Sequence, residues 1–297
     1  MPKNKTMKVS FAIIAKNEKN SITKCLESLK GADEIVVCDT GSEDNTIEIA
    51  KKYTDKIFTD YKWNDDFAEA RNYAISKCSG DWIFTIDCDC ILKTSLEQIK
   101  KEIELAEKEG FKAVSVKCQD INTPTNHCLP LVYKNDPEVK WYGEAHNYLS
   151  VDGRKQEQIQ IDYYYSDSHA KDPDRTFRIL KKVVAKKPDC VREKFYLARD
   201  YWYRNDYITA IYWYHEYLKV AYFGPEMADA YLTCARCYWY LQKGDLARAM
   251  CLEAIALNTN FKEALQFMAE MSGPGNKKRW LEFAQTADNQ GILFIRT

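Results

Sequence analysis

Two aspartates one residue apart, Asp87 and Asp89, follow the apolar run Trp82–Ile86. If that run is a β-strand continuing through Asp87, side-chain alternation aims both carboxylates into one pocket. A hard divalent cation, Mg2+ or Mn2+, takes such oxygen ligands together with phosphate oxygens. It then neutralises the charge that develops on a diphosphate leaving group. Acidic pairs also cap ordinary turns, so the surroundings must decide. Two other polar segments also end apolar runs: Lys16-Asn17-Glu18 after Val9–Ala15, and Asp39-Thr40-Gly41 after Glu34–Cys38. In an open α/β sheet, ligands bind beyond the carboxyl ends of the strands, where all three segments would meet at one rim.

The elements needed to position that rim can be read in order. Val9–Ala15 is continuously apolar and rich in β-branched residues, as in a parallel strand buried on both faces. Ile22, Cys25, Leu26 and Leu29 follow helical spacing, with Asn20 or Ser21 as cap and Gly31 as stop. Glu34–Asp39 is a second strand, followed by a helix to about Tyr53. Residues 56–59 are a short third strand, Phe67–Cys78 a helix, and Trp82–Asp87 a fourth strand. Strands alternating with helices predict an α/β fold with a mainly parallel sheet flanked by helices. A helix over Leu96–Gly110 and a strand over Ala113–Lys117 come next. Residues 119–166 read as irregular, with strand-like pieces at Leu129–Tyr133, Val139–Tyr142 and Ile159–Tyr165, and would form the acceptor side of a cleft.

Beyond Asp172 the pattern is all-helical. Ala198, Tyr201, Ala210, Tyr214 and Tyr217 match Ala235, Tyr238, Ala247, Cys251 and Ala254 in spacing, at an offset of 37 residues. That is the tetratricopeptide period of about 34 plus an insertion near Gly224-Pro225-Glu226. Ala269, 34 residues after Ala235, would open a third, degenerate unit. The expected organisation is a catalytic domain over residues 1–170 and a tetratricopeptide-like helical domain over 171–297. The aromatic stretch from Tyr201 to Phe223 has largely helical spacing and reads as core between paired helices. Stacking on a sugar ring, or holding a peptide, is the alternative for it.

Composition narrows the function. Hydrophobic residues make up 45% and charged residues 29%, with a formal net charge of −1. The basic residues are dispersed, which argues against nucleic acid as partner. No apolar run approaches the roughly 18–20 residues of a transmembrane helix, and residues 1–7 lack the apolar stretch of a secretory signal. A cytoplasmic protein is expected. Eleven cysteines without a secretory context predict free thiols. Cys234-x-x-Cys237 lies inside a helical pattern with no second Cys/His pair nearby, so it reads as core and not zinc.

Four segments occur in order: Ile14-Ala-Lys-Asn-Glu18, Asp39-Thr-Gly-Ser-x-Asp-x-Thr46, Asp66-Phe-Ala-x-Ala-Arg-Asn72 and Gly80-Asp-Trp-x-x-x-x-Asp-x-Asp89. Together they resemble family 2 glycosyltransferases of the GT-A fold over roughly residues 8–170. The resemblance is to the branch that includes lipopolysaccharide-core glucosyltransferases and the peptide S-glycosyltransferases of glycocin biosynthesis. It implies an inverting, metal-dependent transfer from a UDP-sugar, with UDP-glucose first and UDP-N-acetylglucosamine second. The acceptor would be a glycan, a lipid-linked sugar, or a peptide or protein.

The roles carried over by the resemblance are these. Ala15, Asn17 and Glu18 line the nucleobase pocket, and Asp39 hydrogen-bonds the uracil or ribose. Arg71 reaches the nucleotide or its diphosphate. Asp87, with Cys88, faces the ribose or sugar side, while Asp89 and His169 bind Mn2+ or Mg2+. Each has a plainer reading: Asp39 shapes the turn before a helix, Arg71 is a surface helix residue, and His169 caps the next helix. Two positions depart from the family pattern. Cys90 stands where an acidic residue usually follows Asp-x-Asp. In Gly143-Glu-Ala-His-Asn147, Asn147 occupies the place of the family's glutamate, which leaves Glu144 or His146 as catalytic base. These departures motivate a rival reading, a catalytically lapsed domain whose helical repeats act as a scaffold for a protein partner.

Overall fold

The computed structural model describes residues 7–164 and 171–287. The chain divides into two compact units, Met1–Thr176 and Phe177–Thr297.

In the first unit the central strand is β1 (Val9–Ala15), six of whose seven residues are buried. It pairs in parallel with β2 (Glu34–Asp39) on one side and β4 (Trp82–Thr85) on the other. Outside β2 lies β3 (Ile57–Phe58), also parallel. Helices α1 (Ile22–Ser28), α2 (Thr46–Ala50) and α3 (Phe67–Ser76) fall between these strands in the chain. The continuous apolar run of β1 thus follows from helical cover on both faces. The order reverses at β1, with β2 and β3 to one side and β4 to the other. A crevice at the carboxyl ends is the expected ligand site of such a sheet.

The other half of the sheet is mixed. Its order runs β3-β2-β1-β4-β7-β6-β10-β5, with β5 (Cys90–Leu92), β6 (Ala113–Asp120), β7 (Asn126–Lys134) and β10 (Gln160–Tyr163). α4 (Leu96–Lys108) starts at the Ser95 cap. β6 and β7 form a long antiparallel hairpin; the sequence predicted its inner parts, Ala113–Lys117 and Leu129–Tyr133, as strand and the chain between them as irregular. Its outer end, Asn126–Leu129, is exposed, so it carries no buried apolar alternation to read. The turn is held instead by Gln119, whose amide donates to the carbonyls of Asp120, Thr123 and Thr125. A separate two-stranded ribbon joins β8 (Trp141–Tyr142) to β9 (Tyr148–Leu149).

Gly80 shows why β4 must begin with Gly-Asp-Trp. A Cβ there would sit 2.5 Å from Ser10 Oγ and 2.8 Å from the Ser10 nitrogen. The next residue, Asp81, accepts from the Lys8 amide at 3.0 Å and donates its own amide to the Lys8 carbonyl at 2.9 Å. These contacts lock β4 against β1 and fix where its carboxyl end arrives.

The second unit contains α5, whose span Arg175–Lys186 begins just before the unit boundary, and then three helix pairs. They are α6 (Arg192–Tyr203) with α7 (Tyr207–Leu218), α8 (Gly224–Tyr240) with α9 (Gly244–Leu257), and α10 (Lys262–Glu270) with α11 (Pro274–Thr286). Ala198, Ala210, Ala235, Ala247, Ala254 and Ala269 are all fully buried, as are Cys251 and Tyr214. The insertion inferred near Gly224 is an early start of α8, with Pro225 in its first turn. Cys234 and Cys237 are buried, free thiols of that helix. Among the described helices none is long and apolar enough to cross a membrane.

Candidate active site

β4 ends at Thr85, and the Asp-x-Asp pair lies beyond it in a turn. The turn is closed by the Cys90 amide donating to the Asp87 carbonyl at 3.0 Å. This corrects the expectation of two carboxylates alternating on a strand that runs to Asp87. They occupy the first and third positions of a turn, and Cys90 then opens β5. Cys88 is the buried hub beneath it, its Sγ 3.5 Å from the Ile14 carbonyl of β1. From α1, Cys25 Sγ reaches the Asp87 carbonyl at 3.4 Å. Cys90 is itself buried and pairs with Tyr163 of β10. An acidic residue in its place would face the desolvation cost of a buried charge.

The two aspartates differ in kind. Asp87 meets the guanidinium fork of Arg71 through two contacts, at 2.9 and 3.0 Å. Asp89 is partly buried in the same turn. Burial, then the neighbouring charges of Asp87 and Glu18, push its carboxyl up to about 7. A carboxylate raised in this way gains affinity for any cation that displaces the proton.

At the end of β1 and β2 the two rim loops are tied together. Asn17, in the left-handed region at φ 57°, donates its amide to Ser42 Oγ at 2.9 Å and accepts from the Glu43 amide at 2.8 Å. The Glu18 amide donates to Thr46 Oγ1 at 2.7 Å, and its carboxylate accepts from Ser21 Oγ. Ala15 contributes its carbonyl, which accepts from the Thr40 amide at 2.9 Å. Asp39 uses its two carboxylate oxygens differently. Its Oδ2 accepts from the Gly41 and Ser42 amides at 3.0 and 2.9 Å, shaping the turn. Its Oδ1 is buried without a hydrogen-bond partner, a position that a ligand N–H or O–H would satisfy.

α3 explains the spacing of Asp66-Phe-Ala-x-Ala-Arg-Asn72. Asp66 caps the helix by accepting from the Glu69 amide at 2.8 Å. Ala68 and Ala70 are buried where larger side chains would hold the helix off. Arg71, expected at the nucleotide or its diphosphate, engages Asp87 and lies over the Trp141 ring, 5.2 Å from its centroid. Asn72, which sequence reading assigned no role, receives the Trp141 amide at 3.0 Å and donates to its carbonyl at 2.9 Å. The Trp141 indole donates to Tyr133 Oη at 2.9 Å, and that hydroxyl pairs with Thr85 at the end of β4. Its presence at the end of a quoted motif was the available signal for Asn72, but Trp141 lies 69 residues away.

The predicted bases sit in the loop of the β8–β9 ribbon. Gly143 takes φ 89° at its start, a conformation that suits glycine. The Glu144 carbonyl accepts from the Phe67 amide at 2.9 Å, binding the loop to the first turn of α3. Glu144 and His146 are partly exposed. Asp66 is raised above the usual carboxylate range by burial and, further, by the charge of Glu144. Among the described residues no group of three or more His, Cys, Asp or Glu side chains could hold a metal. His169, the predicted second ligand, lies outside the described residues. A cavity of about 680 Å³ opens at the opposite end of the strands, near Lys8, Lys30 and Lys52. Lysines there complement the carbonyl ends of α1 and α2.

Residues 10–150 match the family model described as glycosyl transferase family 2. These residues are similar to family 2 glycosyltransferase domains. The chain is 32% identical over 150 residues to the SPbeta prophage-derived glycosyltransferase SunS of Bacillus subtilis, covering 48% of this chain and 35% of SunS. It is 34% identical over 105 residues to the lipopolysaccharide core biosynthesis glycosyltransferase LpsC of Rhizobium meliloti, covering 34% of this chain and 38% of LpsC. A TPR repeat-containing protein of Synechococcus elongatus is 32% identical over 141 residues, covering 46% of this chain and 34% of that protein. The matched stretches thus span between 34% and 38% of these relatives' lengths.

Proposed function

We propose that this chain transfers a sugar from a UDP-sugar, UDP-glucose first and UDP-N-acetylglucosamine second, to a glycan, lipid-linked or peptide acceptor with inversion. Residues 1–170 would be the catalytic domain and 171–297 the tetratricopeptide-like one. The observation that carries the reading is the asymmetry of the turn. Asp87 meets the Arg71 fork, whereas Asp89 is partly buried and raised in proton affinity.

In this reading the unpartnered Oδ1 of Asp39 accepts from the base or ribose of the nucleotide. Ala15, Asn17 and Glu18 supply the wall beside it. Asp89, with His169, holds Mn2+ or Mg2+. When bound, that cation supplies positive charge beside the departing diphosphate. Arg71 acts through Asp87, fixing the carboxylate that faces the ribose or sugar, with Cys88 packed beneath. Glu144, or His146, removes the acceptor proton from a loop that α3 and Asn72 hold in place.

Release of UDP from each candidate donor, with Mn2+ and with EDTA, tests the proposal. Metal-dependent release from one UDP-sugar, lost in Asp89→Ala, is expected. No release from any donor would favour the repeat scaffold instead.

A further inference from the structure

The helical unit carries a duplication finer than its packing requires. Ala198-Arg-Asp-Tyr-Trp-Tyr203 on α6 recurs as Ala235-Arg-Cys-Tyr-Trp-Tyr240 on α8. The alanines are core, but Trp239 and Tyr240 remain 41% and 60% exposed. Together with Arg236 they line a cavity of about 400 Å³ whose other wall is α10.

From these features we infer that this cavity is a binding site for a neutral sugar unit of a glycan. Its aromatic planes are fixed in advance. Tyr240 stacks on Tyr207 with ring centroids 4.9 Å apart and planes 9° from parallel. Trp239 stands edge-on to Phe267 at 6.5 Å and 85°. The C–H face of a pyranose presents weakly positive hydrogens, which the negative face of an aromatic ring attracts. The remaining lining side chains, Arg236, Glu263, Gln266 and Glu270, end in planar polar groups. They offer both donors and acceptors, as pairs of ring hydroxyls demand. No aliphatic side chain lines the cavity, whereas peptide helices dock through apolar anchors in hydrophobic grooves. One arginine against two glutamates also disfavours phosphate and nucleic acid. The first copy of the motif builds no equivalent: Thr233 and Leu232 stand one repeat before Phe267 and Gln266.

The full chain, with its seven tryptophans replaced by 5-fluorotryptophan, tests this by 19F NMR, the Trp239 resonance being assigned by Trp239→Phe. The titrants are neutral gluco-, galacto- and N-acetylglucosamine oligosaccharides, and separately an oligolysine peptide. Expected is a saturable shift of the Trp239 resonance by one sugar series, retained in Asp89→Asn. Gln266→Ala and Glu263→Gln, both at polar positions that leave the core intact, should each weaken it about tenfold. Three results would overturn the inference: no sugar shifting that resonance, a sugar response unchanged in both variants, or a response to oligolysine alone. Because Asp89→Asn disables the proposed donor site, survival of the Trp239 response in that variant separates this cavity from sugar-nucleotide binding at the rim.

Discussion

At the scale of single residues, the proposed chemistry rests on two aspartates that share a turn but not an environment. Asp89 has a folded-state pKa near 7, above its unfolded value of about 3.9. The unfolded chain therefore releases this proton first, and stability is lost as pH rises from about 4 to about 7. Asp89→Asn should accordingly raise the thermal midpoint of the metal-free protein at pH 8 and leave it unchanged at pH 4. Differential scanning calorimetry at the two pH values checks this; equal shifts at both would contradict it. Arg71→Lys keeps the charge but loses the fork that meets both oxygens of Asp87. Turnover should fall about 10–100-fold, corresponding to about 1.4–2.8 kcal/mol, with an unchanged circular dichroism spectrum. The place of Asp39 at the carboxyl end of β2 was legible because it closes an apolar run. The turn at Asp87–Cys90 was not, since an apolar run does not announce where the backbone stops being extended.

At the scale of elements, the site depends on how α3, β4 and the β8–β9 ribbon are fastened. Asn72 is the staple between helix and ribbon. Asn72→Ala leaves both the Trp141 amide and carbonyl without these partners, at a cost of about 1–3 kcal/mol. A lower urea midpoint should accompany a larger loss of transfer than of UDP binding, because the ribbon carries Glu144 and His146. Loss of UDP affinity alone would argue against that role. A pH effect of opposite sign belongs to the start of β2, at the end of the strands away from the rim. Burial acts to raise Glu34, but hydrogen bonds from Lys56, Ser10 and Ser79 outweigh it and hold the carboxyl at about 2. Its contribution to stability is complete above about 4.5 and is lost as pH falls toward 2, which urea unfolding of Glu34→Gln across that range would reveal. β1, β2 and the first helices were readable from periodicity, since both strand faces are covered and each helix has one apolar side. The outer end of the β6–β7 hairpin and the Asn72–Trp141 contact were not. One is exposed and shows no buried alternation, and the other joins residues far apart in the chain.

At the scale of the whole molecule, the chain combines a mixed sheet whose parallel half ends in an acidic rim with three helix pairs built on buried alanines. The repeat was legible because close helix packing demands small residues at fixed spacing. The exposed Trp239 and Tyr240 of the second motif copy lie outside that buried spacing. The most direct test of the proposed donor site is thermal unfolding with UDP at saturating concentration, with Mn2+ or with EDTA, for the native chain and Asp89→Ala. UDP at about 100 times its dissociation constant should stabilise the native chain by about 2.7 kcal/mol in Mn2+, with little effect in EDTA or in the variant. Equal stabilisation of the native chain and Asp89→Ala, or none for either, would contradict a metal-assisted nucleotide site at this turn.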